Sequence, residues 1–153
     1  PRISQLTQKT NQFNLTTKRY TEADIEKFMR SSDSYVFSFS LNDKFGDYGI
    51  TGLAIINSID NNIVEIDSFL MSCRVIGRKV EFAFINYLID YFKSHSFKTI
   101  FSNYYTTEKN KQVENFYESI GFELKEQNDS HKSYCLSLNN YKPKNIPFIK
   151  INT

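Results

Sequence analysis

The stretch between Ile63 and Ser94 constrains this chain more than any other. Ile63-Val64-Glu65-Ile66-Asp67-Ser68-Phe69-Leu70-Met71 is rich in β-formers, and Ser72-Cys73-Arg74-Val75-Ile76-Gly77-Arg78-Lys79 follows at once; from there no Gly or Pro interrupts the chain as far as Ser94. An unbroken run of that length is a helix rather than a strand, so residues 78–94 are predicted helical. A helix start leaves backbone N–H groups unpaired and carries a partial positive charge, so strand, tight turn and helix N-terminus together make an anion site. Gly77 lets the backbone approach a phosphate closely. Arg74, Arg78 and Lys79 add cations, the two arginines able to grip phosphate oxygens in bidentate fashion. The segment reads as a cradle for a pyrophosphate or phosphopantetheine group, and the competing reading is a surface turn with solvated basic residues.

The rest of the chain supplies a sheet for that unit. Phe13, Leu15 and Thr17 alternate with polar neighbours, a strand signal over 13–19, and Thr21 offers an N-cap to a helix over 22–29. Residues 35–41 and 50–56 are β-rich around the turn-forming Asn42-Asp43-Lys44-Phe45-Gly46-Asp47-Tyr48-Gly49, which predicts a hairpin. Beyond the long helix come a strand over 98–103 and a helix over 111–120, with Val113, Phe116, Tyr117 and Ile120 on one face and Gly121 closing it. Strands over 122–125 and 133–138 complete the set. The order β-α-β-β-β-α-β-α-β-β calls for an α/β (α+β) fold, a mixed and mostly antiparallel central sheet flanked by helices. Residues 1–12 read as a polar linker or lead-in from an upstream domain, 13–138 as the domain, and 139–153, with Pro143 and Pro147, as an extended tail.

Composition narrows the partners. Lys plus Arg number 19 against 17 Asp plus Glu, and a net charge of +2 is too slight and dispersed for a nucleic-acid partner. No apolar run reaches the roughly 18 residues of a membrane span, so no membrane partner is expected. Cys73 and Cys135 are far apart and have no metal-ligand spacing, which indicates no metal site and a reduced, cytoplasmic setting.

Individual residues carry two readings each. Glu81 lies on the apolar side of the long helix: a first-turn carboxylate favoured by the helix dipole, or a partly buried base or arginine anchor. Cys73 stands beside Arg74 near a helix start, where a thiolate is stabilised and could accept an acyl group; the alternative is a small buried residue at a strand end. His131 could serve Cys73 as a base, or sit in a solvated loop. Tyr117 lies on the apolar stripe of its helix.

Arg74-Val75-Ile76-Gly77-Arg78-Lys79 resembles the acyl-CoA motif Arg/Gln-x-x-Gly-x-Gly/Ala of the GCN5-related N-acetyltransferase (GNAT) family, with Lys79 in place of the last Gly or Ala. Asn110, Phe116-Tyr117 and Gly121-Phe122 are similar to that family's second motif, in the same order. The resemblance implies a GNAT-like fold, coenzyme A or a carrier-protein phosphopantetheine bound along residues 74–79, an Asn110 contact to the pantetheine arm, and Tyr117 as the acid that protonates the departing thiolate. The strings Gln5 to Thr16, Asp43 to Gly49 and Ser72 to Arg78 further resemble the C-terminal part of FkbH-like proteins. That likeness implies an acyltransferase that loads a glyceryl-like acyl group onto an acyl carrier protein, with a phosphatase-like domain of the haloacid dehalogenase type as an upstream partner. Direct N-acetylation from acetyl-CoA and non-catalytic docking of a carrier protein are the alternatives.

Overall fold

Capping fixes where the first elements begin. In the computed structural model, which describes residues 1–143, 145, 146 and 149–152, helix α1 spans Arg2–Lys9 and helix α2 spans Glu22–Arg30. Thr21 starts α2 with a reciprocal capping box: its hydroxyl accepts from the Asp24 N–H while the Asp24 carboxylate accepts from the Thr21 N–H. Between the helices lies the two-residue strand β1, Phe13–Asn14. The strands β2 Ser34–Asp43, β3 Gly46–Ser58 and β4 Ile63–Met71 form an antiparallel meander, and helix α3, Val80–Ser94, crosses to β5, Thr99–Tyr105. Helix α4, Phe116–Ile120, and strands β6 Glu123–Gln127 and β7 His131–Ser137 follow. The sheet order is β2-β3-β4-β5-β7-β6, with β4 and β5 the parallel pair.

Alternation along β3 and β4 divides the core between the two faces. Ala54, Ile56, Val64 and Phe69 join Ile85, Leu88 and Phe92 of α3 on one side. Leu53, Ile55 and Leu70 meet Leu6 of α1 and Ile25 of α2 on the other. Fourteen phenylalanines leave a mark on the first cluster, where Phe39, Phe69, Phe84 and Phe116 form a run of rings with centroids 4.7 to 5.4 Å apart.

Several expectations change. Residues 2–9 are helix α1 and not a polar lead-in, because Ser4, Thr7 and Thr10 are buried through specific hydrogen bonds rather than hydrophobicity: the Ser4 and Thr7 hydroxyls both donate to the Tyr20 carbonyl. The strand expected over 13–19 shrinks to Phe13–Asn14, since Thr17 turns to φ 55° and ends the extended run. The long helix begins at Val80 because Lys79 takes the left-handed φ of 62°. The helix expected over 111–120 divides into a 3₁₀ turn, Lys111–Val113, and α4. Gly121 does close α4, at φ 116°. In the tail, Tyr141 reaches back to donate to the Asn86 side chain of α3; Pro147 lies outside the described residues. No helix among the described residues is long and apolar enough to cross a membrane.

Candidate active site

The β4–α3 junction is a shaped turn. After β4, the Ser72 N–H donates to the Thr51 carbonyl and its hydroxyl accepts from the Arg74 N–H, which starts a single 3₁₀ turn over Cys73–Val75. Val75 is fully buried and pins that turn to the core, while Gly77 turns the chain at φ 90°. A Cβ on Gly77 would touch nothing, so the glycine serves the backbone angle rather than clearance. Lys79 is also left-handed, at the motif position where the resembled family has Gly or Ala; the strain of about 1 kcal/mol that any Cβ meets there is why a glycine suits the position.

The cations of this turn are not equivalent. Arg78 donates to the Asp43 carboxylate and to the Tyr48 hydroxyl at 2.8 Å, and its guanidinium lies 4.6 Å from the Tyr48 ring centre. Arg74 donates to the Tyr48 backbone carbonyl at 3.0 Å and is otherwise exposed. Lys79 is exposed and Ile76 half-buried. The tip of the β2–β3 hairpin therefore clamps the turn and neutralises Arg78, leaving Arg74, Lys79 and the start of α3 to meet an anion. In the sequence the hairpin string reads as a turn and as part of a family resemblance, and its two acids and its tyrosine are the signal that it meets a cation.

This clamp has a definite pH dependence. The Arg78 guanidinium, helped by the Phe45 N–H and the Tyr48 hydroxyl, holds the Asp43 carboxyl below the ordinary carboxylate range. A carboxyl whose folded value lies below its unfolded value of about 3.9 stabilises the fold fully above that unfolded value, and the contribution is lost as pH falls through the folded one. An NMR titration of the Asp43 carboxyl should therefore find its midpoint below the usual aspartate value, returning toward it in Arg78→Ala. A midpoint at or above the usual value in the wild type would contradict the clamp.

Beside the turn, β4 and β5 part. They pair only at Ile63↔Thr99, Val64↔Ile100 and Glu65↔Phe101, then run on separately to Met71 and Tyr105. The chain's own residues 13–16 stand in the gap. Phe13 and Asn14 pair with Met71 and Leu70, the Leu15 N–H donates to the Phe69 carbonyl at 3.2 Å, and the Leu15 carbonyl accepts from the Tyr105 N–H at 2.9 Å. Asn110 closes the same place from the α4 side. Its amide donates to the Asn14 and Tyr105 carbonyls, each at 2.9 Å, while its oxygen accepts from the Thr107 N–H and the Tyr104 hydroxyl.

The other sequence candidates are dispersed. Cys73 is exposed, in an open polar cleft of about 910 Å³ walled by Arg2, Lys9, Asn11, Arg74 and Lys109. His131 does not join it: its ring is bonded to Asn103 and stacked on Tyr105. Tyr117 is 1% exposed, enclosed by the rings of Phe116, Phe122 and Tyr134, and its hydroxyl has no hydrogen-bond partner among the described residues. Burial pushes that hydroxyl's pKa well up, so it stays protonated at any physiological pH. Glu81 is half-buried in the first turn of α3, and Cys135 is partly buried in β7. No cluster of three potential metal ligands occurs among the described residues. Sequence reasoning missed Asp67, a buried carboxylate on β4 that binds Lys18 at 2.9 Å and the Tyr20 hydroxyl at 2.6 Å.

The model of the acetyltransferase (GNAT) family matches residues 1–122, and the chain belongs to that family, an acyltransferase by type. Among solved structures, the ribosomal-protein-S18-alanine N-acetyltransferase of Escherichia coli is similar, with TM-score 0.69 and 13% identity over 99% of this chain and 92% of that one. A GNAT family acetyltransferase from Elizabethkingia anophelis with acetyl-CoA bound gives 0.60 and 10%, covering 76% of this chain and 83% of that one. The Campylobacter jejuni N-acetyltransferase PseH, in complex with acetyl coenzyme A, gives 0.56 and 18% over 74% of each chain. At these identities the likeness is one of fold. No curated protein sequence matches the chain.

Proposed function

We propose that this chain transfers an acyl group from a coenzyme A thioester to an amine, with the donor's phosphates held at the β4–α3 turn. The observation that carries the reading is that turn: Gly77 at φ 90°, exposed Arg74 and Lys79, and the start of α3, all following β4 directly. A helix start flanked by cations suits a diphosphate without any metal. In the reaction the amine nitrogen attacks the thioester carbonyl, the carbon–sulfur bond breaks, and the thiolate takes a proton from Tyr117; the new ammonium group gives its proton to solvent and the phenolate is reprotonated. The acetyl-CoA complexes of fold relatives support a CoA donor.

A second reading follows from the cleft at Cys73. Arg2, Lys9, Arg74 and Lys109 face a single acid there, Glu108, and that charge balance suits a phosphopantetheine borne on an acidic carrier protein. It is the FkbH-like reading, in which a phosphatase-like partner domain supplies the acyl group and Cys73 relays it.

One assay separates these. The protein is incubated with acetyl-CoA and a panel of amines, or with an acyl-loaded carrier protein, and free thiol and product masses are followed. Amine acetylation that survives Cys73→Ala within about twofold supports direct transfer. Turnover only with the carrier, abolished by Cys73→Ala, supports the relay. Binding without turnover of either would leave a docking module and overturn both.

A further inference from the structure

We infer that residues 13–16 are a displaceable plug: they fill the β4–β5 gap in the form described here, and a donor's pantetheine arm enters only when they withdraw. The inference rests on the donor reading above. A donor held by its phosphates at the β4–α3 turn has the splay of β4 and β5 directly beside it, with Asn110 bonded across the far side of the same gap. The mouth is shared as well, since Thr10, Asn11 and Gln12, which lead into the plug, wall the same cleft as Ser72, Cys73 and Arg74.

The plug offers the gap what an extended amide-bearing arm would offer it. Leu15 satisfies one carbonyl of β4 and one N–H of β5, and the Asn14 carbonyl satisfies the Asn110 amide. Pantetheine is an extended chain with two amide groups and an apolar, dimethylated stretch. It can replace those hydrogen bonds group for group, as a strand added to an exposed sheet edge does. Exchange therefore leaves no strand edge unpaired, and the two occupants exclude each other. Phe13 is the apolar counterpart, with its ring 5.2 Å from Phe116 and 6.1 Å from Phe69.

Two features mark this as a closed form rather than a permanent strand. The Tyr117 hydroxyl next along the ring stack from Phe116 is buried without a partner, as a proton donor waiting for an incoming group would be. The plug's paired strand is only two residues long, and Thr17 leaves it in the left-handed region at φ 55°. Its downstream hold is a polar strap to β4: the Thr16 hydroxyl donates to the Asp67 carbonyl at 2.9 Å, and Lys18 and Tyr20 bind the Asp67 carboxylate. Withdrawal also takes Phe13 and Leu15, buried members of the core that α3 and α4 share, so the entering arm has to refill apolar volume there as well as replace hydrogen bonds.

The test uses coenzyme A itself, with calorimetry for affinity and amide hydrogen exchange for the plug. On saturating the wild type, the Leu15 amide should lose at least tenfold in protection while the Tyr105 amide keeps its own, now bonded to the ligand. Loosening the strap in Lys18→Met/Tyr20→Phe should tighten CoA binding at least threefold. Asn14 and Leu70 are direct cross-strand partners, so Asn14→Cys/Leu70→Cys in a Cys73→Ser background can lock the plug. The oxidised form should bind CoA at least tenfold more weakly than the reduced form, and if that variant does not fold the exchange result decides alone. CoA binding with Leu15 protection unchanged would overturn the plug and leave the donor reading standing. No CoA binding by the wild type or by the loosened variant would overturn both.

Discussion

Asn110→Ala should cost about 3 kcal/mol of stability, a large effect for one polar side chain. Asn110 is fully buried, and its amide makes four hydrogen bonds that join β1, β5 and the loop before α4. Truncation removes this bond from the fully buried Asn14 carbonyl and leaves the buried Tyr104 hydroxyl only its longer bond, 3.4 Å, to the Asn110 backbone carbonyl. A buried polar group stripped of its partner costs about 1–3 kcal/mol, and the weakened Tyr104 bond adds to the loss at Asn14, which brings the total to about 3 kcal/mol. Urea unfolding of the variant measures it. A change below about 1 kcal/mol would mean that the network is not what holds residues 13–16 in place.

Tyr117→Phe should separate stability from activity. Its hydroxyl is buried without a partner, so removing it should leave the fold unchanged or more stable by about 1 kcal/mol, because the desolvation cost disappears with the group. If that hydroxyl protonates the leaving thiolate, turnover should nonetheless fall by about 10²-fold or more. Loss of rate with stability kept or gained is a pattern that a packing role does not produce. Equal turnover in the variant would return Tyr117 to the core and require another acid.

Much of the fold was legible because its signals are local. The β-rich run at 63–71, the unbroken helix after it, the Thr21 cap and the Gly121 stop all act within a few residues, and the resembled motif around Gly77 is one contiguous string while the other is spaced over residues 110–122. What could not be read depends on partners distant in sequence. Helix α1 is amphipathic through Leu6 and through buried hydroxyls whose acceptor, the Tyr20 carbonyl, lies beyond the next turn. The Asp43 and Tyr48 clamp on Arg78 spans the whole of β3 and β4. Asn110 was singled out by a family resemblance, yet its amide is bound to Asn14, a partner 96 residues away that no motif announces. The strand, turn and helix that carry the candidate site were thus legible, while the closure of the gap beside it had no signature in the sequence.

The proposed activity depends on the donor's phosphates binding at the β4–α3 turn. The most direct measurement is a titration of ¹⁵N-labelled protein with coenzyme A, followed by amide chemical shifts. The largest changes should fall on residues 74–81, centred on Gly77 and the first turn of α3, and Arg74→Glu/Lys79→Glu should weaken binding by at least tenfold. Saturable binding whose shifts leave residues 74–81 untouched, or no binding at millimolar coenzyme A, would contradict it.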